Sequence, residues 1–95
     1  MTTKPIRELA RVMAALRSPR EVEEVMRALL TPAERARLAL RWRLVCLLAS
    51  GMKQRAIAEK LGVSLCKITR GSRELKHGPS SFRKSVRRHA HRISD

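Results

Sequence analysis

Ninety-five residues allow a single domain with a small core, for which self-association is a common remedy, and leave little room for a second one. Twenty-two Lys and Arg against eight Asp and Glu give a formal charge of +14, which directs attention to polyanions (DNA, RNA or an anionic membrane). Phe82 and Trp42 are the only aromatic residues, so the core must come from Leu, Ile, Val, Met and Ala at helical spacing, and the expected class is all-α with about six short helices.

In the first segment, residues 3–17, Ile6, Leu9, Met13 and Leu16 form one apolar stripe, with Arg7, Arg11 and Arg17 mostly off it. Ser18-Pro19-Arg20-Glu21 reads as an N-cap, a first helical proline and a capping-box partner. The helix it opens turns Val22, Val25, Met26 and Leu29 inward. Thr31-Pro32-Ala33-Glu34 repeats the same grammar. It opens the longest helix, Pro32 to about Ala49, whose apolar side carries Leu38, Val45 and Leu48, and Gly51 ends it. Residues 53–61 predict a short helix, Gly62 a turn, and Ser64 a cap for a helix to about Leu75. Gly78-Pro79 breaks the chain, and Ser80 or Ser81 starts a last helix holding Phe82, Val86 and Ala90 among Arg83, Lys84, Arg87, Arg88 and Arg92. The whole is expected to be one helical DNA-binding domain, residues 1–95.

The charge is uneven. Residues 1–50 hold ten basic and five acidic groups, net +5, and residues 51–95 hold twelve and three, net +9. In the more basic half, Gln54 to Arg70 reads as a helix-turn-helix, spanning about 54–76. Ala58 allows close approach, Gly62 tolerates positive φ, and Ile57, Leu61, Val63 and Ile68 pack the pair together. Ser64, Leu65, Lys67 and Thr69 lie early on the second helix, where side chains can reach base edges in a major groove.

Other chemistries find little support. No Cys–His, Ser–His–Asp or paired-carboxylate arrangement suggests catalysis, so no enzyme is expected. His89 and His91 diverge on a helix and His77 has no suitably spaced partner, so no metal site is expected. Cys46 and Cys66, each in apolar helical surroundings, read as small buried hydrophobes rather than a disulfide. The opening MTTKPIRELA is too polar for a signal peptide, and the longest apolar run, Leu44–Ala49, is far short of the ~20 residues that span a bilayer. The last helix lacks the broad apolar face of a membrane-surface helix. A reduced, cytoplasmic protein without a membrane partner is expected.

From Leu30 onward the sequence resembles the Trp repressor family. The carrying residues are Leu30-Thr31-Pro32-Ala33-Glu34-Arg35, Arg41-Trp42-Arg43-Leu44-Val45, Gln54-Arg55, Ile68-Thr69-Arg70-Gly71-Ser72 and Leu75-Lys76. The resemblance covers roughly residues 25–90, with one residue missing around Cys46 to Gly51. It implies an intertwined helical homodimer, a transcriptional repressor that binds operator double-stranded DNA with L-tryptophan or a related amino acid as corepressor and no other cofactor. It places Arg41 and Arg70 on the two faces of the ligand ring, a role suited to a planar guanidinium that also binds carboxylate. Gly71 would leave room beside the ring, and Leu30 and Thr31 would lie near the ligand's carboxylate and amino groups. Where the family has a serine for the amino group, this chain has Glu74, which can accept from an ammonium or fill the site itself. For DNA the resemblance implicates Gln54, Arg55, Thr69 and Lys76. To these Arg73 is added, while Lys67 is a new cation at a groove-facing position. Trp42 is expected to pack near the dimer seam. Two further readings stay open: a ligand-independent regulator of the same fold, and a basic RNA- or ribosome-associated structural protein.

Overall fold

A computed structural model describes the backbone of residues 3–93 and the side chains of residues 4–90. It contains six helices and, among the described residues, no strand: α1 (Thr3–Ala15), α2 (Pro19–Leu29), α3 (Pro32–Ala49), α4 (Gln54–Leu61), α5 (Leu65–His77) and α6 (Ser80–Ile93). The chain divides into two compact units, Met1–Ala36 and Arg37–Asp95.

The first unit is organised by its caps. The Ser18 hydroxyl accepts from the Glu21 amide at 3.2 Å, and Pro19 occupies the first turn of α2, where its missing N–H costs nothing. The expected reciprocal bond is shifted by one residue, because the Glu21 carboxylate accepts from the Arg17 amide (2.9 Å) instead of from Ser18. At α3 the box is complete: Thr31 Oγ1 accepts from the Glu34 amide (3.2 Å), and the Thr31 amide donates to Glu34 Oε1 (2.8 Å). Arg35 then reaches back, its Nη1 donating to the carbonyls of Arg27 (3.0 Å) and Leu30 (3.1 Å), which α2 leaves without helical partners. The apolar faces of this unit are poorly covered. Ile6, Val12 and Leu29 are 67%, 53% and 60% exposed, and α2 buries no residue. The inward set expected for these helices is therefore only half-buried at Met13, Leu16, Val22, Val25 and Met26.

The second unit holds the core. Leu44, Val45 and Cys46 of α3 pack with Ile57 of α4, Ile68 and Leu75 of α5, and Val86 of α6. Ile57, Ile68 and Val86 are fully buried, a state that stabilises by ~1.5–3 kcal/mol per aliphatic side chain. Of the stripe expected on α3, Val45 is buried and Leu48 half-buried, while Leu38 stays exposed. Gly51 (φ 94°) ends α3: its amide and that of Met52 return to the carbonyls of Leu48 and Leu47. Gly62 (φ 65°) ends α4 in the same left-handed conformation, and the amides of Gly62 and Val63 both return to the Ala58 carbonyl. Two residues later the Ser64 hydroxyl accepts from the Lys67 amide and starts α5. The helix–turn–helix of α4 and α5 is thus built by the residues expected to build it. One cysteine departs from expectation. Cys46 is buried, but Cys66 is exposed, because it lies two residues before the buried Ile68 and hence on another side of α5.

Candidate functional site

Helix α5 has three faces, and the 3.6-residue period assigns them. Ile68 and Leu75 are seven apart and turn into the core. Lys67, Arg70, Gly71 and Glu74 follow at i, i+3, i+4 and i+7 and line a cleft toward α3. Thr69, Ser72, Arg73, Lys76 and His77 repeat the spacing on a third face, where they line an open groove with Gln54 of α4.

The cleft measures about 370 Å³, within the range of small-molecule sites. Opposite the α5 residues, α3 contributes Arg37, Leu38, Leu40, Arg41, Trp42, Leu44 and Val45, and α6 contributes Phe82. Four of the expected ligand residues, Arg41, Arg70, Gly71 and Glu74, therefore share one apolar-walled cavity. Arg37, Arg41, Lys67 and Arg70 line the cavity together with a single acidic residue, Glu74, so the cavity carries a net positive field with one carboxylate for a cationic group. Among the described residues no ion pair joins Glu74 to Arg70 or Arg41. Its Oε1 instead lies beside Gly78, 3.1 Å from where a Cβ on that glycine would stand. Leu30 and Thr31 belong to the first unit, where the Leu30 carbonyl accepts from Arg35 and Thr31 caps α3.

Gly71 has a second reason to be glycine. A Cβ there would stand 2.6 Å from Leu44 Cδ2 and 3.3 Å from Val45 Cγ1, both buried side chains of α3. Its missing side chain lets α5 lie close on α3, in addition to leaving the cleft open. Trp42, expected at a seam between chains, lines the cleft at 39% exposure and meets the ring of His89 at 5.5 Å with a 45° tilt.

The groove gathers Gln54, Thr69, Arg73 and Lys76, four of the eight residues expected at DNA, and adds Ser72 and His77. It contains no carboxylate. The Thr69 hydroxyl donates to the Leu65 carbonyl (2.9 Å), leaving its lone pairs and methyl group for an outside partner. Arg55, Ser64 and Leu65 are exposed and lie outside the groove lining, and Leu65 shares the Thr69 side of α5. Lys67 lies with the cleft residues. Sequence reasoning missed Ser72, His77, Arg37 and the cleft position of Lys67. The i, i+3, i+4 spacing from Thr69 and Arg70 on α5, and from Arg41 back to Arg37 on α3, was the available signal. Among the described residues no three His, Cys, Asp or Glu are grouped to hold a metal ion, and no helix is long and apolar enough to cross a membrane. His91, whose side chain enters the metal argument, lies outside the described side chains.

Comparison with known proteins identifies relatives of the chain. A Trp operon repressor homolog of Photobacterium profundum is 48% identical over 54 residues, covering 56% of this chain and 52% of the relative. The homolog of that name from Chlamydia caviae is 37% identical over 73 residues, covering 76% and 72%. That of Vibrio atlanticus is 44% identical over 55 residues, covering 57% and 56%. The chain thus spans about half the length of the first and third of these relatives. No solved structure gives a significant match. The family profile of the Trp repressor protein matches residues 4–90, which contain the helix-turn-helix, the cleft and the groove, and the chain belongs to the Trp repressor family.

Proposed function

We propose that the protein is a homodimeric transcriptional repressor that reads operator DNA through α4 and α5, with L-tryptophan or a related amino acid as corepressor. The observation that carries the reading is α5 itself, which lines a cationic cleft with one face and an acid-free groove with another. In the cleft, Arg41 and Arg70 hold an indole and its carboxylate and Glu74 accepts from the ammonium; by the family resemblance, Leu30 and Thr31 are further ligand contacts. At the DNA, Gln54, Arg55, Arg73 and Lys76 meet phosphates, while Ser64, Leu65, Lys67 and Thr69 address base edges. A ligand in the cleft touches the helix that reads the bases, so it biases that helix's angle to the groove.

Under this reading residues 1–95 act as one functional domain in the cytoplasm. The poorly covered apolar residues of α1 and α2 then meet a second copy, and two reading heads lie one turn of DNA apart, about 34 Å. In a gel-shift assay at near-physiological salt, operator affinity rises with tryptophan and drops on Arg70→Ala. No calorimetric heat and no effect of tryptophan would overturn the corepressor assignment.

A second reading is favoured by Glu74, which stands in the cleft as its only acid. If the carboxylate supplies what a ligand would, the repressor binds DNA without one. Tight binding in the absence of any small molecule, with sensitivity to tryptophan appearing in Glu74→Ser, selects this version. A selection from random duplex DNA with and without tryptophan separates both from a structural RNA-associated protein, which enriches no motif.

A further inference from the structure

Helix α6 is amphipathic in an unusual sense: its apolar side is spent, and its exposed side carries cations and serines but no acid. Val86 and Ala90 are buried and Phe82 packs against the core, at i, i+4 and i+8. Arg83, partly buried, donates from Nε to the Gly78 carbonyl at 3.0 Å and so holds the turn before the helix. Lys84, Arg87 and Arg88 (i, i+3, i+4) form one exposed stripe, with Lys84 and Arg88 on the side opposite Val86 and Arg87 on its flank. Among the described residues none of these three makes an ion pair or side-chain hydrogen bond, and no acidic residue occurs anywhere in α6.

Such a stripe is unfavourable for the helix that bears it. Lys84 and Arg88 repel each other at i, i+4, and Lys84 stands near the N-terminal turn, where the helix dipole disfavours a cation. The first turn holds no acid to offset it. A partner that supplies negative charge from outside removes that penalty.

We infer that the outer face of α6 is a second phosphate-binding surface, which engages the backbone of duplex DNA without reading its sequence. The stripe is about 6 Å long, matching about two phosphates of one strand. A bilayer is the poorer partner, since every apolar residue of α6 up to Ala90 is already committed to the core. The inference shares with the proposed function the premise of DNA binding and is independent of the corepressor.

The test is the variant Lys84→Gln/Arg87→Gln/Arg88→Gln in the full chain, with Lys84→Arg/Arg87→Lys/Arg88→Lys as the charge-conserving control. Thermal melting by circular dichroism is expected to give a midpoint no lower than that of the unaltered protein, because repulsion is removed. Binding to operator and to unrelated duplex is expected to weaken by the same factor, on the order of tenfold near 0.1 M salt. The slope of log affinity against log salt is expected to flatten by about 2 per bound chain, while the control keeps it. An unchanged slope with intact operator binding overturns the α6 surface and leaves the repressor reading in place. Loss confined to duplex RNA or to phosphatidylserine vesicles also overturns it, and absence of any DNA binding by the unaltered protein overturns both.

Discussion

Cys46 is 1% exposed among Leu44, Val45, Ile57 and Ile68, and burial pushes its thiol up, with the nearby Arg43 charge pulling weakly the other way. Below the ordinary thiol value of about 8.5 both folded and unfolded chains keep the proton, and the fold has its full stability. Above it the unfolded chain ionises first, so stability falls as pH rises until the folded thiol titrates as well. Cys66, exposed on α5, reacts without unfolding. With Ellman's reagent at about pH 8, near the ordinary thiol value, one thiol per chain should react fast and the second only at the rate of opening; two equally fast thiols would contradict the burial of Cys46. Both cysteines sit in locally apolar sequence, which is why both read as interior residues. The difference lies in helical phase relative to Ile68, a matter of which side of α5 has a neighbour, and short-range composition is blind to that.

The helices themselves were legible almost to the residue, because their ends are written locally: Ser18-Pro19, Thr31-Pro32 and Ser64 at starts, Gly51 and Gly62 at stops. What local signals omit is how elements touch. Gly71 is the sharpest case, since the sequence assigns its empty side chain to a ligand and the structure assigns it also to Leu44. Gly71→Ala gains about 1 kcal/mol of helix propensity and suffers about 1–3 kcal/mol of overpacking against a buried leucine. The clash wins, and chemical denaturation should show a net loss of roughly 1 kcal/mol. In a double-mutant cycle, Leu44→Ala should cost less in the Gly71→Ala background than alone, whereas strict additivity would mean that the two positions do not meet.

At the scale of the molecule, no hydrophobic residue of the first unit is buried among those described, although α1 and α2 are strongly patterned. The pattern showed that a face exists, and only a partner decides what covers it. Under the proposed dimer, light scattering gives twice the 10.8 kDa chain mass, and Leu9→Glu shifts the protein toward monomer with a lower melting temperature. A monomer at every concentration would sink the dimer. The three faces of α5 carry a further consequence. The residues lining the cleft and those lining the groove have no member in common, though they alternate along one helix. Two chemical vocabularies are interleaved in thirteen residues, so what the cleft accepts can be rewritten at Arg70 and Glu74 while Thr69, Arg73 and Lys76 of the groove stay as they are.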